Sequence, residues 1–429
     1  MKLTPWLARG LQQLDDQRPE TAHPLGWRCF QLGMFVLPAS ALIAVVLLFI
    51  ALLLGSRQRP PFWRDRANGV LAVIGVLMLL GCFRASSGVL AWVGLGNWLP
   101  FFWGFWGFQP YVVSPAARRR VALWIVAGTV PVIVTGLGQL FWGWSGPWQI
   151  LGGLIIWHLK PGGNPPERLA GLFDYANITA AWLALSWPLL LAALLACWRR
   201  CQQRLERSAL DLLVVVVLVA AQVAALYLTD SRNAWGALLL AVPIVGGPGS
   251  WLWLLPLLLF ALLPVALAVL PGVPAVLQDP ARALVPQSIW GRLNDFNSQG
   301  KRPLAITRLS QWSVAVGLIA ERPWLGWGAA AFSVIYPLRT GFWHGHPHNI
   351  AIDLALSHGL PVAAMVVGFV LWLLIRAAHR GMASGPLFER AWWAAALVLA
   401  ALHATDIPMY DSRINIAGWI LLVGLRCKV

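Results

Sequence analysis

The chain has 429 residues, of which 59% are hydrophobic and only 11% are charged. Soluble globular domains carry roughly 25% charged residues, so this composition excludes an ordinary water-soluble protein. The formal net charge of +16 is spread over short Lys/Arg clusters between apolar runs. These clusters form no basic face interleaved with aromatic residues, which argues against nucleic-acid binding. Composition and charge together predict an integral membrane protein.

Apolar runs long enough to cross a bilayer as helices recur along the whole sequence, and each crossing needs about 20 mainly apolar residues. Short segments rich in Lys and Arg stay on the cytoplasmic side. All such segments fall on one side if residues 24–54 form a hairpin of two short spans, broken at Pro38, Ala39 and Ser40. A single span at 24–54 is the alternative. The hairpin is preferred, and it gives about 12 spans with both termini in the cytoplasm.

The predicted fold is an all-α integral membrane protein, a polytopic helical bundle with a large periplasmic loop that carries short helices. Many of the 27 Trp residues lie near the predicted span ends, as in the aromatic belts of membrane proteins. The predicted organisation is a cytoplasmic N-terminal segment (1–23), transmembrane spans 1–9 (24–270), a periplasmic loop with active-site motifs (271–349) and transmembrane spans 10–12 (350–429).

Most ionisable residues of the predicted spans lie near their outer ends or just beyond them. Charges in lipid are costly and are usually kept for function. Secondary transporters place polar and ionisable groups near the bilayer centre, whereas the centre is almost bare here. The sequence therefore predicts chemistry at the outer face. The residues concerned are Asp230, Arg232, Asp353, His358, His403, Asp406, Asp411 and Arg413.

Two arginines are candidates for binding an anion. Arg232 lies in a short polar turn between two predicted spans, where its guanidinium fork can bind a phosphate. A snorkelling Arg that ends a helix is an equally weighted alternative. Arg308 begins a segment with apolar residues at helical spacing, which predicts an amphipathic helix lying on the membrane, stopped by Pro323. Such helices more often serve packing than catalysis.

A cluster of histidines precedes the predicted span that starts at Ile350. Histidine has the pKa range to take a proton from a hydroxyl, and a neighbouring Asn or Asp can orient it. Zinc binding is a weaker alternative, because only His and Asp are at hand and no HExxH pattern exists. Polar loop histidines at headgroup level are the other alternative. The segment reads His344-Gly-His346-Pro-His348-Asn349.

Other common catalytic patterns are missing from the sequence. There is no GxSxG elbow, no P-loop and no GxGxxG after a strand. The external acidic residues are scattered, so sequence spacing gives no support for the paired carboxylates of a glycoside hydrolase.

Taken in order, these segments resemble the O-antigen ligase and O-antigen polymerase family of bacterial envelope proteins. Each motif is weak alone, but their order and spacing over roughly residues 165–375 are specific. The matching motifs are Arg168-Leu-Ala-Gly171 continuing to Asn177, Ser231-Arg232, Arg308 with Trp312, Pro323-xx-Gly326-x-Gly328 with Phe332, and His346-x-His348-Asn349 followed by Gly359.

The resemblance implies a multi-span glycosyltransferase that moves a glycan from an undecaprenyl-diphosphate carrier to a hydroxyl of a saccharide or glycolipid. It implies that Arg232 and Arg308 bind the diphosphate and stabilise it as it leaves, so that neither a metal nor another cofactor is needed. His348 would be the general base, and Asn349 would orient His348 or the acceptor. The further expected substrate-binding residues are His346, Arg168, Asn177, Asp353 and Arg413.

The resemblance also implies a multi-pass protein of the bacterial inner membrane with a periplasmic active face. Ligase and polymerase activity stay open, as do the sugar, the acceptor and the oligomeric state. Two other classes of function are kept: a transporter of a small anion such as bicarbonate, and a non-catalytic partner in envelope polysaccharide assembly. A transporter would depend on residues at mid-membrane depth, whereas a transferase would depend on residues at the outer face.

Overall fold

The computed structural model describes residues 14–203, 208–293 and 307–427. Residues 1–13 of the predicted N-terminal segment and 294–306 of the predicted loop lie outside this range. The described chain is helical apart from one two-stranded antiparallel sheet, so the all-α prediction is confirmed. Its elements are α1 (Pro24–Val36), α2 (Ala41–Arg57), α3 (Arg66–Cys82), α4 (Val89–Gly94), α5 (Leu99–Gly107), α6 (Pro115–Phe141), β1 (Trp148–Ile150), β2 (Ile155–Trp157), α7 (Ala176–Gln202), α8 (Ser208–Leu228), α9 (Arg232–Gly246), α10 (Trp251–Val269), α11 (Ala275–Leu284), α12 (Gln287–Leu293), α13 (Arg308–Glu321), α14 (Ala331–Thr340), α15 (Ile350–His358), α16 (Leu360–His379), α17 (Leu387–Leu402) and α18 (Ser412–Arg426).

The first apolar stretch is a hairpin of two helices, α1 and α2, as the sequence predicts. The chain turns where expected, and the hydroxyl of Ser40 caps α2 by accepting a hydrogen bond from the Ile43 amide at 3.4 Å. The two helices pack closely at Gly33, where an added Cβ would lie 2.8 Å from the side chain of Leu48.

Within the described residues, five helical segments are long and apolar enough to cross a membrane. Three further apolar helices, α2, α3 and α9, are shorter. Only 17% of the most apolar window is buried in α8 and 11% in the segment that contains α10, against 72% in α7. In a membrane protein, the apolar surface of α8 and α10 therefore faces lipid, while α7 is central. The five segments are Pro115–Phe141, Ala176–Gln202, Ser208–Leu228, Pro248–Val269 and Leu360–His379.

Two stretches that the sequence predicts as single spans are interrupted. Residues 89–113 form α4, α5 and two short 3₁₀ helices, in a stretch where Pro100 and Pro110 remove backbone donors. Residues 350–375 break at Gly359, which separates α15 from α16 and adopts φ +87°. A positive φ is readily adopted only by glycine.

The central helix α7 packs against α6, α8, α9 and α17. The indole of Trp182 on α7 is fully buried and donates to the hydroxyl of Thr129 on α6 at 3.0 Å. The amide of Gln222 on α8 donates to the Leu183 carbonyl of α7 at 2.8 Å. These two buried polar side chains are thus paired between neighbouring helices, as an apolar interior favours.

The predicted helix that starts at Arg308 is confirmed as α13, which ends at Glu321 before Pro323. The hydroxyl of Thr307 caps it by accepting from the Ser310 amide at 3.4 Å. Its apolar face packs against α14 and α15 in a separate small core. The helix that carries Arg308 is therefore held against the helix that follows the histidine motif.

Candidate functional site

The histidine motif forms a loop that is anchored on three sides. The indole of Trp312 on α13 donates to the carbonyl of Pro347 at 2.7 Å. The side-chain oxygen of Asn349 caps α15 by accepting from the amides of Ala351 and Ile352, and its amide group donates to the Ala404 carbonyl at 2.9 Å. These bonds fix the loop between α13, α15 and the turn that follows α17.

His348 is paired with Asp406, which lies in that turn. The Nδ1 atom of His348 is 2.9 Å from Oδ1 of Asp406. The carboxylate favours a proton on Nδ1, so that in the neutral form of the imidazole the lone pair lies on Nε2. The side chains are 27% and 17% exposed, so the pair is partly desolvated yet reachable. His348 also has φ +54°, and such strained backbone is found preferentially at functional sites.

His346 lies against His348, with 4.4 Å between the ring centroids. Its Nδ1 accepts a hydrogen bond from the His348 amide at 3.2 Å. Burial, together with smaller contributions from His348, His344 and Arg308, lowers the pKa of His346 to about 4, although the charge of Asp406 acts in the opposite direction. His346 is therefore neutral at pH 7.

Two more predicted residues join this pair through Asp406. The side-chain amide of Asn177 donates to Oδ2 of Asp406 at 3.5 Å, a long bond. Arg168 donates to the side-chain oxygen of Asn177 at 2.6 Å and to the backbone carbonyl of Thr229 at 2.8 Å. A continuous chain of polar contacts therefore runs from His348 to the turn between α8 and α9.

Burial would raise the pKa of Asp406, but its hydrogen bond with His348 and the charge of that ring lower the pKa below the ordinary value for Asp. The carboxylate is therefore ionised at neutral pH. An ionised partner stabilises a proton taken up by the imidazole.

Arg232 is the first residue of α9 and follows that turn. The carbonyl of Thr229, three residues earlier, holds Arg168. The backbone of Arg232 therefore lies at the edge of the network. The start of α9 also presents the positive end of a helix dipole, which favours a bound anion nearby.

Asp353 and Arg413 are engaged with protein groups. The buried carboxylate of Asp353 accepts from the hydroxyl of Tyr410 at 2.6 Å. Arg413 donates to Asp411 and to the Leu172 carbonyl at 2.8 Å. These contacts hold the turn between α17 and α18 against its neighbours. Substrate binding by Asp353 and Arg413 stays a prediction.

Asp406 is not among the site residues that the sequence predicts. The resemblance implies that Asn349 orients His348 or the acceptor, whereas in the structure the carboxylate of Asp406 contacts the ring and Asn349 caps α15. Asp406 is distant from the histidine motif in the sequence, and the sequence predicts it only as one of several ionisable residues at the outer ends of the spans. The one feature of the sequence that could have indicated Asp406 is its place as a polar residue just beyond the end of a predicted apolar helix.

The glycines of the motif Pro323–Gly328 and Gly359 have a packing role. An added Cβ at Gly326, which has φ +69°, would lie 2.6 Å from the Leu356 carbonyl. At Gly359 it would lie 2.1 Å from the carbonyl of Trp324. The motif thus lies backbone to backbone against the break between α15 and α16. Three hydrogen bonds join the two segments: Trp327 amide to Leu356 carbonyl (2.8 Å), Gly328 amide to Ser357 carbonyl (2.9 Å) and Leu360 amide to Pro323 carbonyl (2.7 Å).

The same side chains have the spacing of a metal site. One potential ligand atom each of His346, His348 and Asp406 lies within 4.8 Å of the others. Two imidazoles and a carboxylate are a donor set that suits zinc. The resemblance implies no metal here, and metal removal is the measurement that decides between a proton acceptor and a metal ligand set.

An apolar cavity of about 180 Å³ opens beside the histidine loop. It lies between α15, α16, α17 and α18, and its lining includes Ile350 and His403. These two residues are joined by a backbone hydrogen bond of 2.9 Å, and Ile350 is only two positions from His348. The cavity therefore connects an apolar interior to the polar network.

Residues 217–367 match a family model described as O-antigen ligase. The match includes Arg232, Arg308 and the histidine loop, and it confirms the resemblance drawn from the motifs. Comparison with curated proteins gave no match. Together with the long apolar helices, the match supports a multi-pass membrane protein of the O-antigen ligase type. Arg168, Asn177 and Asp406 lie outside the matched segment.

Proposed function

We propose that this chain, which resembles O-antigen ligases, is a membrane glycosyltransferase. It transfers a glycan from an undecaprenyl-diphosphate carrier to a hydroxyl of a saccharide or glycolipid. The observation that carries the proposal is the pairing of His348 with Asp406. This pair lies in a loop bound by α13, the helix that begins at Arg308, and polar contacts join it to the turn before Arg232. We place the protein in the bacterial inner membrane, with about 12 spans and this site on the periplasmic side.

The proposed reaction is a displacement at the anomeric carbon of the donor sugar. The acceptor oxygen forms the new glycosidic bond while Nε2 of His348 takes the hydroxyl proton. The bond between the anomeric carbon and the diphosphate oxygen breaks, and undecaprenyl diphosphate leaves with the electron pair. The carboxylate of Asp406 stabilises the imidazolium that forms.

The arginines serve the leaving group in this proposal. Negative charge grows on the diphosphate as its bond to the sugar breaks, and guanidinium forks bind phosphate oxygens in two-point contacts. Arg232 and Arg308 would supply these contacts. They supply the positive charge that a divalent ion supplies in many phosphate-binding sites, so we expect the reaction to be independent of metal.

The apolar cavity between α15, α16, α17 and α18 suits a short part of the hydrocarbon tail of a carrier lipid, next to the diphosphate. It begins two residues from His348 and its lining is mainly aliphatic and aromatic. A tail held there would keep the diphosphate close to the histidine loop. Holding donor and acceptor together in this way can remove several kcal/mol from the barrier.

The test is transfer in proteoliposomes with the purified chain, an undecaprenyl-diphosphate-linked glycan and a glycolipid acceptor. His348→Ala is expected to reduce the rate by roughly 10²–10⁴-fold, the usual contribution of a general base. His379→Ala is the matched control, since His379 ends α16 at the opposite end of that helix from the site and is exposed. Chelation with EDTA is expected to leave the rate unchanged. Full activity of His348→Ala would refute the assigned base, and loss of activity on chelation would refute metal independence.

A further inference from the structure

The connection between α6 and α7 carries an apolar hairpin that the proposed reaction does not use. Residues 141–157 contain no Asp, Glu, Lys, Arg or His. Strands β1 and β2 pair antiparallel, with Trp148 opposite Trp157 and Ile150 opposite Ile155. The turn between them consists of Leu151, two glycines and Leu154, so its only side chains are apolar.

This hairpin exposes its apolar side chains to an unusual degree. Leu151 is 63% exposed and Leu154 is 72% exposed at the tip, while Trp142 at the base is 68% exposed. Removing apolar surface from water stabilises a protein by about 25 cal/mol for each Å², and an exposed apolar side chain forgoes this stabilisation. A contiguous apolar patch on a soluble surface therefore indicates a partner or a membrane.

The base of the hairpin is firmly held. The indole of Trp157 donates to the Ala39 carbonyl, in the turn between α1 and α2, at 2.5 Å. The Gly146 amide donates to the Leu159 carbonyl at 2.9 Å, and the side chain of Gln139 on α6 donates to the Lys160 carbonyl at 2.7 Å. Since an isolated two-stranded hairpin is at best marginally stable, these bonds fix the tip in its outward position.

The hairpin lies at the same end of the bundle as the histidine loop. It follows directly from the last residue of α6, a candidate membrane span. The chain then runs on to Leu169, whose amide donates to the Leu228 carbonyl at 2.9 Å, next to Arg168 and its contact with Asn177. The end of a span lies at a membrane boundary, where Trp residues are enriched.

We propose that residues 141–157 form an interfacial hairpin whose apolar tip enters the lipid leaflet on the side of the histidine loop. The occupant of this surface is the headgroup–acyl boundary of phospholipids. A glycan would need hydrogen-bonding side chains at the tip, and a charged peptide would need charges; the tip has neither. The continuous apolar surface from α6 to Leu154 fits lipid, with the indoles of Trp142 and Trp148 at headgroup level.

Insertion gives the hairpin a role in the proposed transfer, a role that rests on the proposed function. The hairpin would fix the depth of residues 158–177 relative to the membrane surface. That segment carries Arg168 and Asn177, so the network would be held at the level where the headgroup of a carrier lipid lies.

The test is photocrosslinking in nanodiscs that contain phosphatidylethanolamine and phosphatidylglycerol. The photoreactive residue p-benzoylphenylalanine is introduced at Leu154 or, as the matched control, at Glu167, which is also exposed and belongs to the same connection. Intact-mass analysis after irradiation is expected to show phospholipid adducts several-fold more often at position 154 than at 167. Since the substituted side chains are exposed, neither change disturbs the core.

Equal adduct yields at the two positions would overturn the proposal. Adducts at position 154 that consist of added glycan or of a second protein chain would overturn it in favour of another partner. The readout does not require transfer activity, so a protein that is inactive as a transferase but crosslinks to lipid would refute the proposed function and leave the interfacial hairpin standing.

Discussion

Two acid–base pairs at opposite ends of α17 show how differently this chain uses charge. Glu389, in the first turn of α17, accepts two hydrogen bonds from Arg118, and both side chains are almost completely buried, at 1% and 0% exposed. Arg118 also donates to the Val112 carbonyl at 2.8 Å. Beyond the other end of α17, Asp406 holds a single nitrogen of His348, and both side chains are partly exposed.

The comparison separates a structural pair from a reactive one. A bidentate pair without solvent contact has its charges matched by protein groups, and removing one partner leaves a buried charge uncompensated. The imidazole of His348 is held at one nitrogen, so the other nitrogen can face a substrate. We expect changes at the first pair to alter stability and changes at the second to alter catalysis.

The largest expected effect is on stability, at Glu389. Glu389→Gln leaves the buried guanidinium of Arg118 without its counter-charge, and loss of one partner of a buried pair costs about 3–5 kcal/mol. Thermal unfolding in detergent, at fixed lipid and detergent content, measures the change. The double variant Arg118→Met with Glu389→Leu should recover most of the loss. Wild-type stability of Glu389→Gln would show that the pair contributes little to the fold.

Asp406→Asn should reduce kcat for transfer by about a hundredfold, equivalent to ~2.7 kcal/mol. The amide is close in size but cannot stabilise an imidazolium by charge, so the melting temperature should change little. The matched control is Asp411→Asn, which alters a carboxylate in the same turn that pairs with Arg413. Equal losses of activity in the two variants would mean that Asp406 acts only through the shape of the turn.

Changes at the arginines should come next in size. Arg308→Ala and Arg232→Ala each remove charge-assisted hydrogen bonds to the donor diphosphate, worth about 2 kcal/mol, or roughly 30-fold in kcat/KM. Transfer rates measured over a range of donor concentrations give this ratio. Arg339→Ala is the control, because Arg339 is an exposed arginine paired with Glu321. Unchanged kcat/KM in both Arg308→Ala and Arg232→Ala would show that these arginines do not take part in the proposed mechanism.

The smallest expected effect is at the anchor of the histidine loop. Trp312→Phe keeps an aromatic ring but loses the hydrogen bond to the Pro347 carbonyl, which is worth about 1 kcal/mol. We expect a loss of activity of no more than about tenfold, with stability near that of the wild type. Trp343→Phe, at an exposed indole, is the control. A loss as large as that of Asp406→Asn would mean that the loop depends on Trp312 more than the comparison of the two pairs implies.

The apolar runs were sufficient to predict the helical fold, the hairpin at residues 24–54 and the helix that begins at Arg308. These features depend on local composition and helical spacing, which the sequence displays directly. The breaks at Gly359 and within residues 89–113 were missed, because hydropathy averages over a single glycine or proline. The 12-span count, the four predicted segments and the periplasmic side stay predictions.

The site was predictable only in part. The motif order marked His348, Arg168 and Asn177, and the structure joins these three through Asp406. The role of Asp406 could not be assigned from the sequence. Asp406 follows α17 and His348 precedes α15, so their pairing is a contact between distant segments. The capping role of Asn349 could not be predicted for a different reason. An Asn next to a His can either orient the imidazole or cap the helix that follows, and the sequence does not distinguish the two roles.

The hydrogen bonds between Pro323–Gly328 and the break at Gly359 bear on how substrates arrive. Swinging this segment aside would leave amides and carbonyls around Leu356 and Ser357 without partners. In a region shielded from water, each orphaned group costs about 1–3 kcal/mol. The segment is therefore expected to stay in place and not to act as a gate. We expect lipid-linked molecules to enter the site laterally from the bilayer.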